Sequence, residues 1–170
     1  YNHFVSGESE SYAFAQRNYG SFLQSSDPVA WYEELRGRVG FVVTTGEAGA
    51  GFLTRMQGRL HDAMGSRVGD APGLAHYRAV YASEDGFVKA FTLVPGARVE
   101  GVVDAAEPTA VPVRTDVSIE GASFTYERLA RTDAEGNFEI TVAHPGEYRV
   151  GDRRVTVSEE AVAGGETIQI

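Results

Sequence analysis

The chain has 170 residues, 42% of them hydrophobic, and a formal net charge of −9, with 15 Lys and Arg against 24 Asp and Glu. No apolar run approaches the ~18–20 residues that cross a bilayer as a helix, and no basic stripe exists to bind nucleic acid. Without cysteine there is neither disulfide nor thiolate chemistry.

Lys89 is the single lysine; every other basic residue is arginine. An acidic excess with almost no lysine fits a surface adapted to high salt, where carboxylates hold water and screening relieves their repulsion. The plain alternative is an acidic protein from a GC-rich genome. The chain opens on Tyr1-Asn2-His3-Phe4 without a leader pattern, as a piece of a longer protein would.

Over residues 8–24, Tyr12, Ala15, Tyr19, Phe22 and Leu23 recur at helical spacing, so they predict one face of an amphipathic helix. Asp27-Pro28 starts a second helix, with Asp27 as N-cap and Pro28 in the first turn. Its buried side is read as Trp31, Leu35 and Tyr32. Val39 to Thr45 is a continuous β-branched run, the mark of a strand covered on both faces. After the small-residue loop 46–51, Phe52, Met56, Leu60 and Met64 repeat every four residues and predict a helix over 52–64.

From residue 73 the pattern changes. Two runs of strand character flank Ser83-Glu84-Asp85-Gly86, a hairpin signal spanning 75–91. Strands follow at about 97–103, 111–119, 123–132, 137–143, 147–151, 153–157 and 166–170, separated by explicit turns such as Asp133-Ala134-Glu135-Gly136-Asn137. The fold class expected is α+β: a small α/β unit over 1–72, then an antiparallel, prealbumin-like β-sandwich over 73–170 joined through the 75–91 hairpin. No Pro/Ser-rich spacer separates the two, so a shared core is expected rather than a free linker.

Residue chemistry supplies no catalytic constellation. His3, His61, His76 and His144 lack helical zinc spacing and read as surface or partly buried singletons. Asp133 to Asn137 resembles a calcium loop, but His144 stands where the bidentate Glu belongs, so a hairpin turn is expected. Glu33 and Glu34 are adjacent on a helix and point apart. The glycines of 46–51 lack the Lys-Ser/Thr of a phosphate loop. Ser6, Ser9 and Ser11 have no base beside them.

Asn2-x-Phe4-x-x-Gly7 followed by Tyr12-Ala13-Phe14-Ala15, the strand Val39 to Val43, and above all Gly73-Leu74-Ala75-His76-Tyr77-Arg78-Ala79-Val80-Tyr81 with Val88-Lys89-Ala90-Phe91-Thr92-Leu93-Val94-Pro95-Gly96-Ala97 resemble the soluble region of oligosaccharyltransferase catalytic subunits, particularly haloarchaeal ones. The resemblance implies the extracytoplasmic C-terminal part of a multispanning membrane enzyme, which transfers lipid-linked oligosaccharide to Asn in Asn-x-Ser/Thr. Its partners would be the acceptor polypeptide and, through a membrane domain absent here, the lipid-linked donor. The family uses a divalent metal, Mn or Mg, with no ligand expected in this segment. The Trp-Trp-Asp-Tyr-Gly motif would precede Tyr1. The second acceptor-contacting motif, an Asp and a Lys, falls between the 39–45 strand and the 52–64 helix. Thr45 stands in the Asp-like place, no lysine follows in that stretch, and Arg55 is among the nearest substitutes. The contacts implied are Thr45, Met56, Arg59 and Leu60. Core packing of Met56 and Leu60 fits their spacing equally well.

Residues 97–170 resemble, more weakly, prealbumin-like or carboxypeptidase-regulatory-like modules, through Thr132-Asp133-x-x-Gly136-x-Phe138 and Pro145-Gly146-x-Tyr148-x-Val150. That implies the alternative: a non-catalytic stalk or binding module of an archaeal surface protein.

The salt reading is directly testable. Screening shortens from ~10 Å at 0.1 M to ~3 Å at 1 M, so the melting temperature is expected to rise from dilute buffer to molar KCl. A flat or falling series in thermal melts would refute it.

Overall fold

The computed structural model describes residues 3–5, 10–46, 53–104 and 107–170. Asn2, Gly7, Ser6, Ser9 and most of the 46–51 loop, with Phe52, therefore lie outside the described residues.

Two layered units follow one another. The first is a four-stranded antiparallel sheet in the order β1 (His3–Val5), β2 (Phe41–Thr45), β4 (Val88–Leu93), β3 (Tyr77–Ala82). One face is covered by α1 (Glu10–Gln24), α2 (Pro28–Leu35) and α3 (Met56–His61). Ala15, Tyr19, Phe22 and Leu23 of α1 meet Leu35, Val42, Tyr77 and Phe91 in one apolar core. Asp27 caps α2 as expected, its carboxylate accepting from the Ala30 amide at 3.0 Å.

The second unit is a sandwich. One sheet runs β10 (Arg153–Val157), β9 (Gly146–Val150), β6 (Ala110–Ile119), β7 (Ala122–Arg131); the other runs β11 (Thr167–Gln169), β5 (Ala97–Val102), β8 (Asn137–Val142). Strict alternation along β6 sends Val111, Val113, Thr115 and Val117 inward, against Val99, Ile140 and Tyr148. The α+β class with a predominantly antiparallel sandwich is thus observed.

Several expectations need correction. The hairpin strands β3 and β4 were grouped with the sandwich, yet β4 pairs with β2 throughout its length and completes the first sheet. Tyr12 is 63% exposed, because the core-facing stripe of α1 starts one turn later. Strand β2 is not evenly covered on both faces: Val42 and Thr44 are buried, Val43 and Thr45 only partly so, and Phe41 is 43% exposed. The 52–64 helix shortens to Met56–His61, since Gly58 weakens it and the chain turns through a positive φ at Met64 before Gly65. Met64 still joins Met56 and Leu60 in the core, carried back by that turn. The Asp133 turn does not close a hairpin: it passes from β7 in one sheet to β8 in the other. Strand β11 pairs in parallel with β5. A short helix α4 (Glu159–Gly164) precedes it, capped by Ser158 and ended by left-handed Gly165.

The units are joined along the outer edge of β7. The Arg67 amide donates to the Glu127 carbonyl and the Glu127 amide to the Ser66 hydroxyl, each at 2.9 Å. Tyr126 donates its hydroxyl hydrogen to the Leu74 carbonyl at 2.5 Å and accepts from the Ala143 amide at 3.2 Å. Gly73 is required at this seam: a Cβ there would sit 2.4 Å from the Glu127 carbonyl oxygen. At the far end, Gly121 turns β6 into β7 with φ +81°, and a Cβ would lie 1.7 Å from the Ala82 carbonyl oxygen.

His61 and His144, expected near the surface, are both buried. His144 lies against Phe124 and Tyr126 with its Nε2 unpartnered. Burial, then the Arg78 guanidinium, pushes its pKa down to about 3. The folded state therefore requires the neutral ring. Its contribution is complete above ~6.5, the unfolded-state value, and is lost as pH falls from there toward 3, by about 1.4 kcal/mol per pH unit. Urea unfolding at pH 7.5 and 5 is expected to show this loss, about 2 kcal/mol; a His144→Phe variant should retain correspondingly more of its stability at pH 5. An identical pH dependence in variant and parent would refute the assignment.

Candidate functional site

The region to which the sequence assigned acceptor contacts is built where β2 ends against α3. Strand β2 presents Thr44 toward the helices and Thr45 toward the other face, because successive side chains alternate. Thr44 Oγ1 lies 2.8 Å from His61 Nδ1 at the end of α3, and both residues are buried. Opposite Thr44 in the register stands Lys89 of β4. Its ammonium donates to the His61 carbonyl at 2.5 Å. Burial holds the Lys89 pKa below the usual lysine range, opposed by the nearby Asp62 carboxylate.

Helix α3 is clamped to the end of α1 by three residues. The Met56 amide donates to the Ser25 carbonyl at 2.8 Å, the Arg55 guanidinium bonds Gln24, and Arg59 reaches the Ser26 carbonyl at 3.5 Å. Arg59 Nη2 also donates to the Pro72 carbonyl at 2.7 Å. Among the described residues the Arg59 side chain pairs with no carboxylate, and Nε is unpartnered. Burial lowers its pKa, the Arg128 guanidinium lowers it further, and Tyr77 opposes the shift.

The four predicted contacts thus separate. Met56 and Leu60 are fully buried in the first core, and Arg59 is 5% exposed. In this arrangement they offer almost no surface to a peptide; what they supply is the rigid seat of α3. Thr45 is partly exposed, pairs with Val88 in the register, and sits where the strand meets the 46–51 loop. Arg55 is exposed at the start of α3. Lys89 lies far from Thr44 and His61 in chain order. Strand pairing brings it in instead, and the hairpin signal was the clue available.

The arrangement gathers Thr44, His61 and Lys89 at the end of β2. Its hydroxyl–imidazole contact, Thr44 with His61, is buried. Among the described residues no group of three His, Asp or Glu could hold a metal ion.

Three solved structures of one protein share this fold. The Archaeoglobus fulgidus oligosaccharyltransferase in complex with Zn and sulfate aligns with a TM-score of 0.57 at 18% identity, over 70% of this chain and 24% of that chain. The same enzyme in complex with an inhibitory peptide and a dolichol-phosphate gives 0.58 at 19%, over 72% and 23%. Tethered to an acceptor peptide containing the NVT sequon, it again gives 0.58 at 19%, over 72% and 23%. The chain spans under a quarter of the length of these structures. No family model and no curated protein matches it.

Burial sets the expected response to mutation around α3. Met56→Ala removes packed volume and should lower the unfolding free energy by about 2–4 kcal/mol. Arg59→Ala strands two carbonyls and should cost about 2–3 kcal/mol. Arg59→Met, which fills the space and removes the buried charge, should cost less than Arg59→Ala. Denaturant unfolding of the three variants checks this; Ala variants as stable as the parent would place these side chains outside the core.

Proposed function

We propose that these residues form the extracytoplasmic C-terminal part of a membrane oligosaccharyltransferase, which transfers lipid-linked glycan to Asn in Asn-x-Ser/Thr. Within it, this segment is acceptor-side scaffold. The observation that carries the reading is the fold shared with an archaeal oligosaccharyltransferase over 70–72% of the chain. It is supported independently by the sequence stretch from Gly73 to Ala97, which lies inside the fold at β3 and β4. One matched structure carries a tethered acceptor peptide, which favours an acceptor-side role for a segment of this fold.

The catalytic metal, Mn or Mg in the family, would be held elsewhere in the longer protein, as would the lipid-linked donor. The His, Asp and Glu residues described here do not converge in a way that fits it. This chain's part is mechanical. Clamping α3 to α1 fixes the end of β2 from its helix side, and an extended peptide would be held at that strand end, with Thr45 among its contacts. Met56, Leu60 and Arg59 act at one remove, by holding that strand end. A pre-ordered strand end lowers the entropy lost when a peptide is seated.

The test compares the isolated chain with the full-length membrane protein. The isolated chain should transfer no glycan to a sequon peptide. In the full-length protein, Thr45→Ala should raise the acceptor KM several-fold with kcat little changed and the melting temperature unmoved. Transfer by the isolated chain, or unchanged acceptor kinetics in the variant, would overturn the respective part of the reading.

A further inference from the structure

We infer that the outer face of the four-stranded sandwich sheet, where Arg154, Arg149 and Arg114 stand in one row across β10, β9 and β6, docks an acidic stretch of the acceptor polypeptide. The inference rests on the proposed function, which makes a polypeptide the substrate. No stretch of the sequence contains this row, because strand pairing assembles it. In the register Arg154 stands opposite Arg149, and Arg149 opposite Arg114. Alternation turns all three outward, since their neighbours Val113, Tyr148 and Val150 are buried. Adjacent strands lie ~4.8 Å apart, so the three side chains rise from a line about 10 Å long.

Like charges directly opposite one another weaken a sheet. Three in succession, in a chain of net charge −9, call for a counter-charge, and the acids of the same face supply it only in part. Glu147 takes Arg154 at 2.5 Å. Asp116 reaches Arg149 only at 3.5 Å. Glu127 of β7 stands opposite Arg114 in the register, but its carboxylate is held by Arg67 at 2.8 Å. Among the described residues Arg114 enters no ion pair, and it is exposed. The Arg149 and Arg154 side chains are 49% and 69% exposed, so their pairs are weak and can give way to an incoming carboxylate. A guanidinium fork matches a carboxylate in geometry as well as charge.

The acids beside the row discriminate among polyanions. A bilayer covers a whole face and would press its phosphates on Asp116, which is 72% exposed, and on Glu147. The row also lacks the aromatic anchors of a membrane-seated surface. A nucleic acid carries a charge on every unit and meets the same two carboxylates. An extended acidic peptide is narrow enough to follow the row across the strands. Its side chains on one side recur every ~6.8 Å, so Asp or Glu at positions i and i+2 reach the two ends of the row. It also brings backbone N–H donors, which Asp116 and Glu147 accept.

The experiment uses the full-length protein in detergent and a fluorescein-labelled peptide of alternating Glu and Gly that lacks a sequon. Binding is read by fluorescence anisotropy at the lowest salt that retains the parent's thermal transition. The variants are Arg114→Gln, which breaks no ion pair, and the triple Arg114→Gln/Arg149→Gln/Arg154→Gln. The control is Arg36→Gln/Arg38→Gln, which removes two exposed, paired arginines at the end of α2. The Kd is expected to rise about twofold in Arg114→Gln and about tenfold in the triple variant, and to stay unchanged in the control. Equal weakening in the control would overturn the inference, as would tighter binding of a single-stranded oligonucleotide or of phosphatidylglycerol vesicles than of the peptide. If the triple variant loses its thermal transition, Arg114→Gln decides, and an unchanged Kd there refutes the row. Glycan transfer to a sequon peptide is assayed on the same preparations. Arginine-dependent binding without transfer keeps the row and removes the proposed function; transfer with binding indifferent to the arginines does the reverse.

Discussion

The phenol of Tyr126 is the joint on which both halves of the chain depend. Its ring is fully buried in the sandwich, its hydrogen goes to the Leu74 carbonyl, and its oxygen takes the Ala143 amide hydrogen. Two backbone groups from distant parts of the sequence are satisfied by one atom, in a setting where either left alone would be expensive. Around it, residues 66–74 occupy the outer edge of β7 through Ser66, Arg67 and Gly73. An open edge strand invites pairing with other chains. This one is closed by a stretch that is not itself a strand. The same stretch leads into β3, so closing the edge also fixes where the hairpin starts, and thereby where Lys89 meets Thr44.

Much of this architecture was legible because short-range chemistry decides it. The alternation in Phe138-Glu139-Ile140-Thr141-Val142 is β8, and Asp27-Pro28 starts α2. What failed to read were choices settled at long range. A four-residue apolar repeat predicted a helix through Met64, yet the same repeat is satisfied by six helical residues and a turn. The Asp133 turn has ordinary turn chemistry, and nothing local says whether it closes a hairpin or crosses between sheets. Helix α4 was readable and overlooked: Ser158-Glu159-Glu160 before Ala161 and Val162, then two glycines, is a capped helix in miniature. In the candidate site, the pattern brought Met56, Leu60 and Arg59 to attention for the same reason that buries them, since periodic apolar positions mark core first.

Arg59 shows how such a core tolerates a charge. Burying a guanidinium without a carboxylate is costly unless carbonyl oxygens converge on it. They do here: Ser26 lies just past the end of α1, where the helix dipole is negative, and Pro72 lies on the seam. One side chain therefore links α1, α3 and the seam. That linkage makes α3 a fixed part of the scaffold.

The distribution of charge follows the same logic from the outside. The surface ion pairs, such as Arg36 with Glu33, Arg38 with Glu34 and Arg154 with Glu147, lie on the outer sides of helix and sandwich. Exposed pairs of this kind stabilise little individually, so their placement says more about solvent contact than about folding. The outer face of the first sheet has no comparable pairing across β2 and β4. The paired positions of that face carry no acid, although Phe41 and Tyr81 on it are exposed. The β-branched run of β2 and the neutral register of β4 agree on that point, although they lie far apart in sequence.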